Sequence, residues 1–237
     1  MYFSFGPAMV IGLLFMGIGW LVSANLKRKF KEFSAIPSQR GLSGREIAEM
    51  MLKDNGISDV SVISVGGELT DHYSPMKKTV NLSHEVYNGR NAAAAAIAAH
   101  ECGHAVQHAT AYGPLNFRTA MVPVQNASGM ILNVIMMMTV FGGALLFDAF
   151  PFNLVLIIVC AAYGMIALFS LITLPVEFDA SNRALKWIKN SGVSTQGEYE
   201  QSKSALNWAA MTYVIAALSA LTTLIYYLLL LTGRRDD

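Results

Sequence analysis

The sequence predicts a mainly α fold: a polytopic membrane protein with four spanning helices and a small cytoplasmic α+β domain. Three observations predict it. The 237 residues are 54% hydrophobic and 14% charged, with a mean hydropathy of +0.42, whereas soluble domains are nearer a quarter charged. Four apolar stretches reach the ~20 residues needed to cross a ~30 Å hydrocarbon layer. Lys and Arg gather in two of the segments left between them, and that bias marks the cytoplasmic side.

Composition also excludes classes. Low charge with high hydrophobicity rules out a disordered chain. The 17 Lys+Arg against 16 Asp+Glu leave +1, with no basic surplus for nucleic acid. Cys102 and Cys160 form no CxxC pair; they read as unpaired thiols in a reducing compartment.

The first stretch, 1–26, carries no charge and is followed by Lys27, Arg28, Lys29 and Lys31. A signal peptide places its positive charge before the apolar core, so this order predicts an uncleaved anchor with its N-terminus outside. Residues 27–118 then form the cytoplasmic domain. Ser43-Gly-Arg-Glu46 is a capping box that opens a helix over about 44–54, and Asn55-Gly56 stops it. Val60, Val62 and Val65 suggest a strand ended by Gly66-Gly67, and Asp71-His-Tyr-Ser-Pro75 reads as a turn or hairpin end. Val80 and Leu82 alternate with polar residues in a second strand over 79–83. That strand either packs half-buried or offers its edge to an extended peptide.

An alanine-rich helix begins near Asn91 and ends near Gly113-Pro114. Arg90 precedes it and its uncharged run stops at His100, too short for a fifth span. The region 119–174 holds two spans: one within 119–147, starting at about Ala127 after Gln125 and Asn126, and one over 152–174. Residues 175–207 return to the cytoplasm, and 208–237 supply a last span over 208–231 with a short tail. Eleven Lys and Arg lie in 26–120 and four in 175–207 (Arg183, Lys186, Lys189, Lys203), while 148–152 has none. Arg234 and Arg235 sit at the outer end beside Asp236 and Asp237. The predicted location is the cell membrane, multi-pass, with both large segments inside.

His100-Glu101-Cys102-Gly103-His104 is an HExxH motif. Helical positions four apart share a face, so both imidazoles can reach one zinc ion. Glu101, beside that face, can take a proton from a water activated there. Three of the five histidines fall within nine residues. His108 is the third, but i, i+4 and i+8 extend about 12 Å along a helix, too far for one ion. It reads as a supporting or surface residue.

A catalytic zinc takes three protein ligands and keeps one open position. The third ligand must come from elsewhere. Glu177 leads, in Leu174-Pro-Val-Glu-Phe-Asp-Ala-Ser-Asn-Arg183 just past the third span. Pro175 can begin a helix with Glu177 in its first turn. Asp179 competes, though on a helix it points roughly away from Glu177.

These two long motifs resemble the YugP-like family of neutral zinc metallopeptidases of bacterial membranes. The resemblance runs through the anchor, Asp71-His-Tyr-Ser-Pro75, Val80-Asn-Leu-Ser83, the zinc helix and the later spans. It implies a membrane-embedded, zinc-dependent peptidase with His100 and His104 as ligands and Glu101 as base. By similarity to the gluzincin pattern Glu177 becomes the third ligand and the domain is zincin-like. The more distant HtpX group places an aspartate four residues after that glutamate. Ser181 stands there instead, which leaves open what orients a zinc-binding histidine. Tyr199, Arg183, His72, Tyr73, His84 and Tyr87 are candidates to stabilise an oxyanion.

The expected substrates are peptides or unfolded protein segments. Lipid surrounds the spans, nucleic acid is not a partner, and a membrane partner protein is left open. Two rivals remain at this level. A site-2-type intramembrane protease also carries HExxH, but within a span and with an aspartate as third ligand. A non-proteolytic membrane protein with structural zinc would show four protein ligands and no open position.

Overall fold

Residues 6–142 and 149–233 are described in the computed structural model. Outside the described residues lie the start of the first expected span, Phe147 at the end of the second, Asp148, and Arg234, Arg235, Asp236 and Asp237. In chain order the elements are α1 (Gly6–Ser34), α2 (Gly44–Asp54), β1 (Ser61–Val65), β2 (His72–Ser74) and β3 (Thr79–Ser83). There follow α3 (His84–Asn88), α4 (Ala92–Ala109), α5 (Gly113–Phe141), α6 (Phe152–Ser191) and α7 (Gln196–Thr232). The protein is mainly helical, and α1, α5, α6 and α7 are long and apolar enough to cross a membrane.

The chain divides into two compact units, Met1–Trp20, Phe117–Leu174 and Tyr213–Asp237 in one, Leu21–Asn116 and Pro175–Thr212 in the other. The first packs Val155, Leu156, Val159 and Cys160 of α6 against Tyr227 of α7, with the Tyr163 and Tyr227 rings stacked at 5.4 Å. The second holds the sheet and the short helices. Its core joins Ile47 and Met51 of α2, Val80 and Leu82 of β3, the alanines of α4, and Ala184 and Ile188 of α6.

Local chemistry explains these elements. Ser43 and Glu46 close a reciprocal capping box on α2, satisfying donors that a bare helix end leaves open. Asn91 caps α4 by accepting the Ala94 N–H at 2.9 Å. That helix ends at Ala109, earlier than the expected Gly113, because Thr110 caps it and Ala111 turns left-handed at φ 49°.

Two expectations are corrected and one is resolved. First, of the turn or hairpin end expected at 71–75, the hairpin forms: His72–Ser74 is a strand paired antiparallel with β3, Tyr73 opposite Val80. Second, 79–83 is not an edge. The sheet order is β1-β3-β2 with β1 parallel to β3, so β3 is paired on both sides and the edge nearest α4 belongs to β2. Third, Pro175 begins no helix; it lies inside α6. An interior proline costs about 3 kcal/mol, and the buried ladder Val176, Ala180, Ala184 and Ile188 offsets it by packing the turns that follow.

Candidate metal centre

The site lies wholly in the second unit. α4 sets His100 and His104 one turn apart on one face, ring centroids 4.8 Å apart and nearly perpendicular. Gly103 sits between them. A Cβ there would stand 2.6 Å from the Ala180 carbonyl oxygen of α6, so the missing side chain lets the two backbones touch. That contact brings Glu177, one turn before Ala180, onto the histidines. Glu177 Oε2 lies 3.3 Å from His100 Nε2 and 3.6 Å from His104 Nε2.

The three donors, all within 4.8 Å of one another, suit zinc. Ligands held about 2.0–2.1 Å from a tetrahedral ion stand about 3.3 Å apart. Glu177 is buried, and its Oε2 finds no hydrogen-bond partner, an orphan that calls for a cation. Both imidazoles are held from behind. His104 Nδ1 lies 2.9 Å from Gln107 Oε1, and His100 Nδ1 lies 3.1 Å from Ser181 Oγ. Both Nδ1 atoms are thus engaged outward, which leaves each Nε2 facing Glu177.

Electrostatics follow the geometry. Burial alone would raise the Glu177 carboxyl, but His100 and His104 beside it hold it well below the usual carboxylate range. Burial also works against a charged His104, and the carboxylates of Glu177 and Glu101 outweigh it, so this imidazole is raised.

Glu101 stands next to the donors, and its Oε2 accepts the Tyr73 N–H at 2.9 Å. Cys102 faces the other way, its Sγ 3.5 Å from the Ala48 carbonyl, with burial pushing the thiol up. Asp179 is not in the donor group. Its carboxylate accepts from Gln107 Nε2 at 2.8 Å and Arg183 Nε at 2.6 Å. His108 is exposed and its Nδ1 lies 2.9 Å from the Tyr73 hydroxyl.

The remaining polar candidates are engaged elsewhere. His72 Nδ1 meets the Thr70 carbonyl and His84 Nδ1 meets Ser64. Tyr87 stacks under Arg45, Tyr199 under Lys189 and Tyr112 under Arg183. Among the six, Tyr73 hydrogen-bonds the motif, through its main chain. Gln107 went unread in the sequence. The signal was its place three residues after His104, one turn along the same face.

Residues 8–232 match the model of the family described as "Putative neutral zinc metallopeptidase". The chain belongs to that family. It is also 37% identical over 222 residues to the "Putative membrane protease YugP" of Bacillus subtilis (strain 168), covering 94% of this chain and 95% of that protein. No solved structure matches. The resemblance read from the two motifs is thus shown over nearly the whole chain.

Proposed function

We propose that this member of the neutral zinc metallopeptidase family is an endopeptidase whose site works at the cytoplasmic face of the cell membrane. In this reading 1–26, 119–174 and 208–237 supply the membrane helices, while 27–118 and 175–207 build the peptidase domain. His100, His104 and Glu177 hold zinc, and Glu101 is the general base. The observation that carries it is the convergence of two imidazole nitrogens and one orphaned carboxylate oxygen beside a second, hydrogen-bonded carboxylate.

When bound, zinc supplies Lewis acidity that polarises a carbonyl and acidifies water. The chain's own residues do the rest. Glu101, fixed by the Tyr73 N–H, takes a proton from the attacking water and delivers it to the leaving amine. Tyr73 turns that N–H away from β3, so the free edge of β2 faces Glu101. An extended peptide or unfolded segment pairing with β2 would present its main chain to the base. Among the described residues three donors converge, which would leave a coordination position open and favours catalysis over a structural role. Asp179, engaged by Gln107 and Arg183, speaks against the aspartate ligand of site-2 enzymes.

The test is cleavage of a mixed peptide library by detergent-purified, zinc-loaded protein, read by mass spectrometry beside Glu101→Gln. Products from wild type and none from the variant are expected. No products from either, with zinc bound, would overturn the catalytic reading.

A further inference from the structure

Gln107 is a fully buried side chain with every polar atom engaged, and its amide can be oriented without ambiguity. One end lies 2.8 Å from the Val176 carbonyl and 2.8 Å from Asp179 Oδ2. A carbonyl can only accept, and so can an ionised carboxylate, so the atom facing them is the NH2 group. The other end is therefore the oxygen, 2.9 Å from His104 Nδ1. An amide oxygen can only accept. His104 must then carry a proton on Nδ1, which leaves Nε2, the nitrogen facing Glu177, as the one able to take a metal.

The second tie matters as much. Val176 precedes Glu177, so the Gln107 NH2 grips the backbone that presents the carboxylate donor. One side chain on α4 fixes the tautomer of His104 and holds the α6 segment carrying Glu177. Asp179 completes the arrangement: its carboxylate anchors the Gln107 NH2 and is itself gripped by Arg183, which lies over the Tyr112 ring at 5.7 Å.

We propose that Gln107, backed by the Asp179–Arg183 ion pair, is the positioning residue that sets His104 and Glu177 in register for the metal. Resting on the zinc reading of the site, this assigns Asp179, the competitor to Glu177 in the sequence, the work of anchoring Gln107. Losing a partner of this kind typically lowers metal affinity about 10–100-fold.

The experiment compares wild type, Gln107→Met and Gln107→Glu in detergent. Zinc affinity is measured by chelator competition, the Co2+-substituted absorption spectrum reports ligand geometry, and melting of the metal-free protein reports the fold. Met keeps the volume and deletes both ends of the amide. Glu keeps an oxygen that accepts from His104 Nδ1 and loses the NH2 that holds Val176 and Asp179. The expected result is a ~10–100-fold loss of zinc affinity and an altered cobalt spectrum for Met, with partial recovery of both for Glu. Wild-type affinity and spectrum in the Met variant would overturn the proposal. So would equal losses in Met and Glu that track a fall in metal-free melting, since packing alone would then explain them. Failure of the wild type to bind zinc would instead overturn the reading of the site on which this one rests.

Discussion

Glu101 and Tyr73, 28 residues apart, meet through the Tyr73 main-chain N–H, which points 2.9 Å to Glu101 Oε2. Tyr73 sits opposite Val80 in the antiparallel pair, so the N–H that reaches Glu101 is directed away from β3. The short edge strand and the glutamate of the HExxH helix are locked to one another. In the proposed mechanism this one hydrogen bond would couple the position of the base to the strand offered to substrate.

Shortening this glutamate tests the coupling. Glu101→Asp keeps the charge but withdraws it by one methylene from both the strand and the attacking water. Peptide hydrolysis should fall on the order of 100-fold, the cost of about 1 Å of misplacement, with zinc content unchanged by metal analysis. Full activity would separate the base from the strand.

Ser181 answers the question that its sequence position raised. It stands where the HtpX group has aspartate, and its hydroxyl lies 3.1 Å from His100 Nδ1. Ser181→Ala should weaken zinc about tenfold in chelator competition, and Ser181→Asp should recover or exceed wild-type affinity by giving the imidazole a carboxylate partner. Equal affinity across the three would show that His100 needs no support there.

Gly103 tests the helix contact that assembles the site. An added Cβ would meet backbone atoms of Ala180, which cannot swing aside as a side chain can. Gly103→Ala should destabilise by about 1–3 kcal/mol and weaken zinc binding together. Gly197→Ala, with nothing within 4 Å of its Cβ, is the matched control. Thermal melting and zinc titration of both variants read the difference.

Glu198 gives a pH signature away from the metal. It is buried, and its carboxylate accepts N–H groups of Gln39 at 2.7 Å and Thr195 at 2.6 Å. Burial alone would raise it, but these hydrogen bonds outweigh burial and hold it below its ordinary value. A carboxyl lowered on folding contributes stability above its unfolded value, about 4.3, and that stability is lost as pH falls through the folded value. Glu198→Gln should cost about 1–3 kcal/mol near neutrality. Its melting curve should converge with wild type as the pH drops below about 4. A constant gap across that range would contradict the assignment.

What could be read from residues was local. The Ser43–Glu46 capping box, the four apolar helices and the histidine spacing on α4 each depend on neighbours within a turn or a continuous run. What could not be read depends on partners far away. β2 has three residues before Pro75 and no alternation long enough to register, so it became a strand only by pairing with β3. The edge passed from β3 to β2 for the same reason. Pro175 looked like a helix start because nothing local reveals that Val176, Ala180 and Ala184 bury a continuous face. Gln107 reaches Val176 and Asp179 across 69 and 72 residues, a contact that sequence spacing does not reveal and that engages the competitor to Glu177.

The most direct measurement is X-ray absorption of the zinc-loaded protein in detergent, with the zinc-to-protein ratio determined on the same sample. The account predicts one zinc per chain, two imidazole nitrogens and oxygen ligands at about 2.0–2.2 Å, and no sulfur near 2.3 Å. Glu177→Gln should remove or reshape that shell, while Asp179→Asn should leave its oxygens in place. Sulfur in the shell, or a shell that changes with Asp179 and not with Glu177, would contradict it.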